Sequence, residues 1–150
     1  MRNSPRSNPR TSSSVRRIDS KVMWMRPRRV LVVDDDDIIR EVAKVALEVV
    51  GGWSVSTATS GAEASRLAVD QQPDVVLLDV MMPALDGPST AALLRQDPRT
   101  RDLPVIFLTA KSPLTDDGLD AAPNLAGVIG KPFDPMSLAE EINRLVGWSD

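Results

Sequence analysis

Short apolar runs that end at polar residues alternate along this chain with segments of helical periodicity. We expect buried strands at 30–33, 75–79, 104–109 and 128–129, and an alternating strand at 53–58. Apolar runs of this length are typical of strands covered on both faces. Strands that alternate with helices pair in parallel, because each helix carries the chain back to the same end of the sheet. The pattern therefore predicts an α/β fold, a doubly wound five-stranded parallel sheet with helices on both faces.

Helices are expected between these strands because apolar residues recur there at helical spacing. A capping box at Ser60–Glu63 opens the second helix, the third lies around 89–95, and Asp134-Pro135 opens the last. The stretch 112–126 should hold only a short helix, since Pro and Gly interrupt it. The first helix stops at Gly51-Gly52, and its predicted apolar stripe consists of Ile38/Ile39, Val42, Val45/Ala46 and Val49.

The net charge of −3 conceals two segments of opposite charge. Residues 1–29 carry nine basic side chains and one acidic side chain, whereas residues 30–150 have a net charge of −11. The first twenty residues are mostly Arg, Ser, Asn, Pro and Thr, which bury too little apolar surface to offset the entropy of ordering. We therefore interpret residues 1–27 as a disordered basic tail, 28–147 as the folded domain and 148–150 as the C-terminal end.

Several functions for the basic tail stay open. It could contact nucleic acid or an anionic membrane surface through phosphate groups, or act as a targeting segment. The interpretation that we favour is a solvated extension, or the product of an early start codon, because Met23 and Met25 stand just before the first strand. We accordingly do not expect nucleic acid among the partners.

The residue types that are missing exclude several kinds of chemistry. The chain has no Cys and no His, which excludes disulfides, thiolate and imidazole metal ligands, and nucleophiles that depend on either side chain. No stretch approaches the roughly 18 uninterrupted apolar residues that a membrane-spanning helix needs. We expect a cytoplasmic protein with no membrane span, whose chemistry depends on carboxylates, hydroxyls and ammonium groups.

Polar side chains stand at the carboxyl ends of four predicted strands, namely Asp34 with Asp35, Asp79, Thr109 and Lys131. In a parallel sheet these ends share one edge, where the ligands of such folds bind. Converging carboxylates need a cation between them, and an all-oxygen ligand set favours Mg²⁺, which in proteins usually serves a phosphoryl group. A carboxylate there can attack phosphorus, while an ammonium and a hydroxyl contact phosphoryl oxygens. The sequence thus predicts a phosphoryl-accepting site.

Four sequence blocks follow one another along the chain: Val32-Val33-Asp34-Asp35-Asp36, the ten residues from Leu78 to Gly87, Leu108-Thr109-Ala110-Lys111 and Gly130-Lys131-Pro132-Phe133. Asp79 stands 44 residues after Asp35, Thr109 stands 30 after Asp79, and Lys131 stands 22 after Thr109. In this order and at these intervals, the blocks resemble the receiver domain of two-component response regulators. The chain is similar in particular to stand-alone regulators of the chemotaxis type. The resemblance covers about residues 28–147 and implies a flavodoxin-like fold with strand order 2-1-3-4-5.

The resemblance implies a role for each residue of the predicted site. Asp79 would be the phosphoacceptor, Thr109 the switch hydroxyl and Lys131 the ammonium that pairs with the phosphoryl group. The donor would be a sensor histidine kinase or a histidine phosphotransfer protein, and the chain would assist its own phosphorylation and dephosphorylation rather than act as an enzyme. The bond between Lys131 and Pro132 is a candidate for the cis form. Mg²⁺ would be held by Asp34, Asp35, Asp79 and the backbone carbonyl of Met81.

Some positions depart from the pattern of the family. Val128 stands where many receivers have a Tyr or Phe that turns inward with the threonine. Met81 and Lys111 border the expected path of the attacking water and should tune the lifetime of the phosphoryl group. Because the chain ends three residues after Gly147, we expect output through contacts with an unidentified downstream protein, or through relay to a second phosphotransfer protein.

Other functions fit parts of the pattern. A degenerate receiver could keep these residues and act as an interaction module without phosphate, and a basic tail could add nucleic-acid or membrane binding to a receiver. An aspartate-nucleophile phosphatase shares the doubly wound sheet and Mg²⁺. That class, however, needs an acid two residues after its nucleophile, where this chain has Met81. We therefore favour the phosphoacceptor.

Overall fold

Five parallel strands form one sheet in the part of the chain that the structure, a computed structural model, describes: residues 27–110 and 124–148. The order of the strands in the sheet is β2-β1-β3-β4-β5, and all four neighbouring pairs are parallel, so the predicted fold is confirmed. The strands are β1 (Arg29–Val33), β2 (Ser54–Ala58), β3 (Val75–Asp79), β4 (Val105–Thr109) and β5 (Leu125–Gly130).

Four helices within the described residues cover the two faces of this sheet. They are α1 (Asp37–Val49), α2 (Gly61–Gln71), α3 (Gly87–Gln96) and α4 (Leu138–Val146). Side-chain caps begin the first three, since Asp36, Ser60 and Asp86 each accept hydrogen bonds from backbone N–H groups of the first turn. The cap at Asp86 starts α3 two residues before the predicted helix, because Pro88 fits its first turn.

At two predicted helix caps, the hydrogen bonds in the structure differ from those that the sequence predicts. The carboxylate of Glu63 accepts a hydrogen bond from the backbone N–H of Thr59 at 2.8 Å, and not from that of Ser60, so the capping box closes one residue earlier than predicted. Asp134 accepts from the N–H of Met136 at 2.9 Å, which fixes a turn. Helix α4 begins after this turn, at Leu138, and its N-cap residue makes no side-chain cap. The prediction of a helix that starts at Pro135 was therefore wrong.

Side chains of successive strand residues point to opposite faces of the sheet, and this divides the core in two. In β1, Val30 and Val32 face α1 and α4, whereas Leu31 and Val33 face α2 and α3. Strands β3 and β4 are buried over their whole length, because both faces are covered. The packing on both faces thus sets the position of the central strands and of their carboxyl ends.

The predicted apolar stripe of α1 is only partly buried. The helix packs on the sheet through Ala43, Ala46 and Leu47, while Ile38 and Val49 are each 75% exposed. Small alanine side chains let the helix approach the sheet closely, which leaves the neighbouring β-branched residues outside the core. The predicted stripe thus borders the buried face of α1: its Ala46 is buried, whereas its Val42, Val45 and Val49 are exposed.

Several predictions fall outside the described residues. These are the basic tail up to residue 26, the short helix expected within 112–126 as far as residue 123, and the role of Lys111. The end of that stretch is described, and there Leu125 and Ala126 belong to strand β5 and not to a helix. Among the helices that the structure describes, none has the length and apolarity required to cross a bilayer.

Candidate functional site

The carboxyl ends of the strands bring the predicted site residues to one edge of the sheet. Asp34 and Asp35 follow β1, Asp79 is the last residue of β3, and Thr109 is the last residue of β4. Thr109 pairs with Gly130 of β5, and Lys131 follows directly. Residues separated by up to about a hundred positions along the chain therefore meet at one place, as the sequence predicts.

Three carboxylates form a cluster at this edge. Asp34 is fully buried and Asp79 is 3% exposed, whereas Asp35 is exposed to solvent. One ligand oxygen from each of the three lies within 4.8 Å of the others. Charges of one sign at this separation repel strongly in a buried setting, so the cluster requires positive charge nearby.

Local hydrogen bonds hold the two buried carboxylates in place. The N–H of Asp36 donates to Oδ1 of Asp34 at 2.9 Å, and the N–H of Met81 donates to Oδ1 of Asp79 at 3.3 Å. Each carboxylate thus accepts a hydrogen bond from the backbone two residues further on. These contacts orient the side chains before any ligand arrives.

Arg40, which the sequence analysis did not single out, supports the loop that carries Asp34. Its guanidinium donates to the backbone oxygen of Asp34 at 2.8 Å and pairs with the carboxylate of Asp37. The spacing of three residues between Asp37 and Arg40 on a helix was the available signal. The contact with the carbonyl of Asp34 could not be predicted, because it depends on how the loop enters α1.

Lys131 supplies positive charge to the cluster. Its Nζ lies 3.0 Å from Oδ2 of Asp34 and 3.2 Å from Oδ1 of Asp79. The contact with Asp34 is an ion pair that is not aligned as a hydrogen bond, so Oδ2 of Asp34 keeps unused accepting capacity inside the protein. The N–H of Lys131 donates to the oxygen of Thr109 at 2.8 Å, and its peptide bond with Pro132 is cis. The hydrogen bond between the backbones of Lys131 and Thr109 therefore positions the ammonium group at the ends of β4 and β5.

Burial and charge shift the pKa values of this group. Burial, together with the negative charge of Asp34, raises the pKa of Asp79 from 3.8 to about 6, although Lys131 opposes the shift. Burial by itself would lower the pKa of Lys131, but its contacts with Asp34 and Asp79 outweigh this and raise it. Lys131 thus stays charged, and the ionised form of Asp79 is held at a cost in free energy.

Replacement of Asp79 by Asn should stabilise the metal-free protein at neutral pH. A carboxyl whose pKa is raised on folding favours the folded state only when protonated, so the ionised group is destabilising above pH 6. We expect Asp79→Asn to raise the free energy of unfolding by roughly 1–3 kcal/mol at pH 7.5. Urea unfolding in EDTA measures this difference. It should shrink towards zero near pH 4, and an equal gain at both pH values would contradict the assignment of the shift to Asp79.

The carboxylate cluster suits a hard divalent cation. Its donors are all oxygen, two of the three carboxylates are buried, and the exposed position of Asp35 leaves one side open to water and ligand. Mg²⁺ prefers such ligands and keeps several waters. Asp34, Asp35 and Asp79 therefore fit this ion, whereas participation of the Met81 carbonyl stays a prediction.

Gly87 ties the first turn of α3 to the strand that carries Asp79. Its N–H donates to the oxygen of Val80 at 3.0 Å. A Cβ atom at Gly87 would lie 2.5 Å from the oxygen of Asp79 and 2.8 Å from Cα of Val80. Because both are backbone atoms, any side chain here would displace the end of β3.

Replacement of Gly87 by Ala should therefore destabilise the protein and disturb the site. We expect the free energy of unfolding to fall by about 1–3 kcal/mol, as for other overpacked positions, and the amide resonances of Asp79 and Val80 to shift. Gly130→Ala is the matched control, since the nearest atom to its Cβ lies 4.0 Å away, and its effect should stay within about 0.5 kcal/mol. Equal losses in the two variants would show that the contact with β3 is not the cause.

The remaining predicted residues are placed as follows. Thr109 is 1% exposed at the end of β4. The side chain of Met81 is 66% exposed beside the carboxylate cluster, and a cavity of about 480 Å³ adjoins it. Val128 is half-buried, pairs with Phe107 and packs against the core under α2 and α3. The small side chain of Val128 therefore packs against the core from its edge, and the inward-turning aromatic expected in the family has no counterpart at this position.

Comparison of the sequence with known families and proteins gives matches over most of the chain. A model of the response regulator receiver domain matches residues 30–143. The chain is 36% identical over 124 residues to the DNA-binding dual master transcriptional regulator RpaA of Synechocystis, covering 81% of this chain and 50% of that protein. It is 42% identical over 122 residues to the response regulator MprA of Mycobacterium sp. strain KMS, covering 80% and 51%. The chain thus spans about half the length of these curated relatives.

The chain also superposes on solved structures of receiver proteins, and it covers nearly the full length of each of them. The chemotaxis response regulator CheY4 of Vibrio cholerae superposes with a TM-score of 0.73 at 31% identity, covering 79% of this chain and 98% of that one. The receiver domain of the sensor histidine kinase PA1611 of Pseudomonas aeruginosa superposes with a TM-score of 0.71 at 29% identity, covering 81% and 98%. The latter structure has a magnesium ion coordinated in its active site cleft.

Proposed function

The chain belongs to the response regulator receiver family, and on that premise we propose that it accepts a phosphoryl group on Asp79 from a phosphohistidine donor. The observation that supports this most directly is the buried carboxylate of Asp79, which lies within 4.8 Å of two further carboxylates and 3.2 Å from the ammonium of Lys131. The proposed nucleophile, three carboxylates that could hold a cation and the ammonium of Lys131 thus lie together at one edge of the sheet.

The transfer that we propose exchanges one bond to phosphorus for another. An oxygen of Asp79 attacks phosphorus, the bond from phosphorus to the donor imidazole breaks, and the imidazole nitrogen keeps the electron pair and takes up a proton. The product is an acyl phosphate on Asp79. Positioning supplies much of the catalysis in such transfers, and the backbone N–H of Met81 already holds the accepting carboxylate.

Lys131 and Thr109 would contact the transferred group. The ammonium of Lys131 is already 3.2 Å from Oδ1 of Asp79, so it needs little movement to pair with a phosphoryl oxygen. The hydroxyl of Thr109 stands at the end of the adjacent strand β4 and would donate a hydrogen bond. Asp34, Asp35 and Asp79 would hold Mg²⁺, which when bound supplies positive charge against the phosphoryl oxygens. In this proposal the chain assists its own phosphorylation and dephosphorylation and is not an enzyme with a separate substrate.

The output of the domain also belongs to the proposal. Phosphorylation adds a charge of about −1.5 to −2, which would draw Thr109 and Lys131 towards Asp79 and change the face formed near β4 and β5. Since position 128 is a half-buried valine and not an aromatic residue, the change would depend on the backbone at the ends of these strands. A stand-alone arrangement, the kinase or phosphotransfer donor, the downstream protein and a cytoplasmic location stay predictions.

Amide NMR with Mg²⁺ and then beryllofluoride, which mimics the aspartyl phosphate, tests this function. We expect Mg²⁺ to shift resonances at the carboxyl ends of β1 and β3, and beryllofluoride to extend the shifts to β4 and β5. Asp35→Asn should weaken Mg²⁺ binding at least ~10-fold, as loss of a direct ligand, whereas the exposed Asp70→Asn on α2 should not change it. Asp79→Ala should not respond to beryllofluoride. A wild-type protein that ignores both additions would instead support the degenerate, phosphate-independent receiver.

A further inference from the structure

The exposed carboxylate of the cluster, Asp35, has no side-chain contact that orients it. Asp34 and Asp79 each accept a hydrogen bond from a backbone N–H and contact Lys131. In contrast, the side chain of Asp35 forms no hydrogen bond or ion pair within residues 27–110 and 124–148. One of its oxygens nevertheless lies within 4.8 Å of a ligand oxygen of each of the other two. The backbone on either side of Asp35 must therefore set the direction of this carboxylate.

The residues before and after Asp35 are both held by hydrogen bonds. The N–H of Asp34 donates to the oxygen of Ala58, the last residue of β2, at 3.2 Å. The N–H of Asp36 donates to Oδ1 of Asp34 at 2.9 Å, and the carboxylate of Asp36 caps α1. These contacts place the two neighbours, but they leave open the rotation of the peptide group between Asp34 and Asp35.

Arg40 fixes the orientation of that peptide group. Its Nη1 donates to the backbone oxygen of Asp34 at 2.8 Å. A peptide group is planar and trans, so its C=O and its N–H point in opposite directions. A held carbonyl of Asp34 therefore sets the N–H and the Cα of Asp35, and with them the direction in which the Asp35 side chain leaves the backbone.

The guanidinium of Arg40 is itself held in place. The side chain is only 17% exposed, its Nη2 pairs with Asp37, and the backbone N–H donates to the oxygen of Asp36 at 3.0 Å. The group also lies near the start of α2: a hydrogen bond from the backbone of Thr59 is the main cause that lowers the pKa of Glu63, and the charge of Arg40 contributes. Because a guanidinium is planar and donates in fixed directions, Arg40 connects α1 to the loop after β1 in a defined geometry.

We propose that Arg40 is a positioning residue for divalent-cation binding. By holding the carbonyl of Asp34, it aims the carboxylate of Asp35 at the site that Asp34 and Asp79 also line. Arg40 contacts the backbone and not the cation. The inference rests on the proposed function, because it concerns the Mg²⁺ site on which that function depends.

The charge of Arg40 has the opposite effect on a cation. A positive charge near the carboxylate cluster repels Mg²⁺, so loss of the charge by itself would tighten Mg²⁺ binding. Loss of positioning would weaken it, since groups that orient the ligands of a metal typically contribute about 10–100-fold in affinity. The direction of the change in affinity therefore distinguishes a positioning role from a purely electrostatic one.

Mg²⁺ titrations of the full-length chain, followed by amide NMR, test the proposal. We expect Arg40→Gln to raise the dissociation constant for Mg²⁺ at least ~10-fold. Arg40→Lys keeps the charge but lacks the planar group that donates to both Asp34 and Asp37, so binding should weaken here as well. Asp37→Asn is the matched control, because it removes the ion pair and leaves the donor to the Asp34 carbonyl. Its dissociation constant should stay within about twofold of the wild type, since the Asp37 side chain is exposed.

A double-mutant cycle tests whether Arg40 acts through Asp35. In the Asp35→Asn background the carboxylate that Arg40 is proposed to aim is absent. Arg40→Gln should then change the remaining Mg²⁺ affinity by no more than about twofold, because mutations that affect one interaction are not additive. A full ~10-fold loss in both backgrounds would overturn the proposed route through Asp35.

Other outcomes separate this inference from the proposed function. A wild type that binds Mg²⁺ while Arg40→Gln binds it equally or more tightly would overturn the inference alone. A loss of stability in urea with an unchanged dissociation constant would assign Arg40 a structural role only, and would overturn it too. A wild type that does not bind Mg²⁺ would overturn the proposed function and the inference with it. If Arg40→Gln does not fold, Arg40→Lys provides the same comparison with the wild type.

Discussion

Acetyl phosphate and Mg²⁺ are expected to add about 80 Da, the mass of one phosphoryl group, to the wild-type chain, and to leave Asp79→Asn at its original mass. The amide of Asn cannot attack phosphorus, whereas the rest of the site keeps its geometry, including the hydrogen bond from Met81 to the Oδ1 position. Intact-mass spectrometry within minutes of mixing measures the adduct before it hydrolyses. The expected effect is therefore complete loss of labelling.

Asp70→Asn is the control for this experiment. It removes an exposed carboxylate of α2 that is outside the cluster, so its labelling should equal that of the wild type. An adduct of the same mass on Asp79→Asn would place the phosphoryl group on another residue. Absence of any adduct on the wild type, with Mg²⁺ present, would contradict the proposed phosphoacceptor.

Replacement of Lys131 by Met should cause a large loss of stability. The substitution keeps the aliphatic stem but removes the charge that lies 3.0 Å from the fully buried Asp34 and 3.2 Å from Asp79. Two buried carboxylates then have no cation between them. Breaking a buried ion pair by removing one partner costs about 3–5 kcal/mol, and we expect the lower end because the side chain of Lys131 is 17% exposed. Urea unfolding in EDTA at neutral pH measures this loss.

Two further variants identify the cause of this loss. In the double variant Lys131→Met with Asp79→Asn, one of the unpaired charges is absent, so part of the stability should return, as a double-mutant cycle would quantify. Lys44→Met is the matched control, because Lys44 pairs with Glu48 at 3.2 Å where both side chains are more than a third exposed. Its effect should stay below about 0.5 kcal/mol. A loss that is unchanged in the double variant would point to packing of the lysine stem instead of charge.

Several features of the site could be predicted because they depend on local sequence. Each buried strand is an apolar run, and the polar residue at its end is visible in the sequence. The parallel order then places Asp34, Asp79 and Thr109 at one edge without further information. The end of α4 at Gly147, which has a φ of 82°, is also a local feature. The cap at Asp86 is local as well, but it was not predicted, because Asp86-Gly87 is equally typical of a turn.

Other features depend on contacts between distant segments. Helix α1 has two adjacent apolar stripes, and periodicity could not decide between Ala43 with Leu47 and Val42 with Val49. The contact of Arg40 with the carbonyl of Asp34 likewise depends on the loop between β1 and α1. Asp134 shows the limit of local motifs, because its side chain closes a turn and α4 begins only at Leu138.

The sequence by itself determined the doubly wound sheet, its covered strands and the set of polar residues at their ends. This was possible because a buried strand is a short apolar run, and the polar residue that ends it is adjacent in the sequence. Only the tertiary structure decided that Lys131 reaches both Asp34 and Asp79, that Gly87 lies against the backbone of Asp79, and that the valines of α1 face outward. These features depend on distances between residues of different strands and helices. Such distances are set by how closely the elements pack, and small side chains allow closer packing.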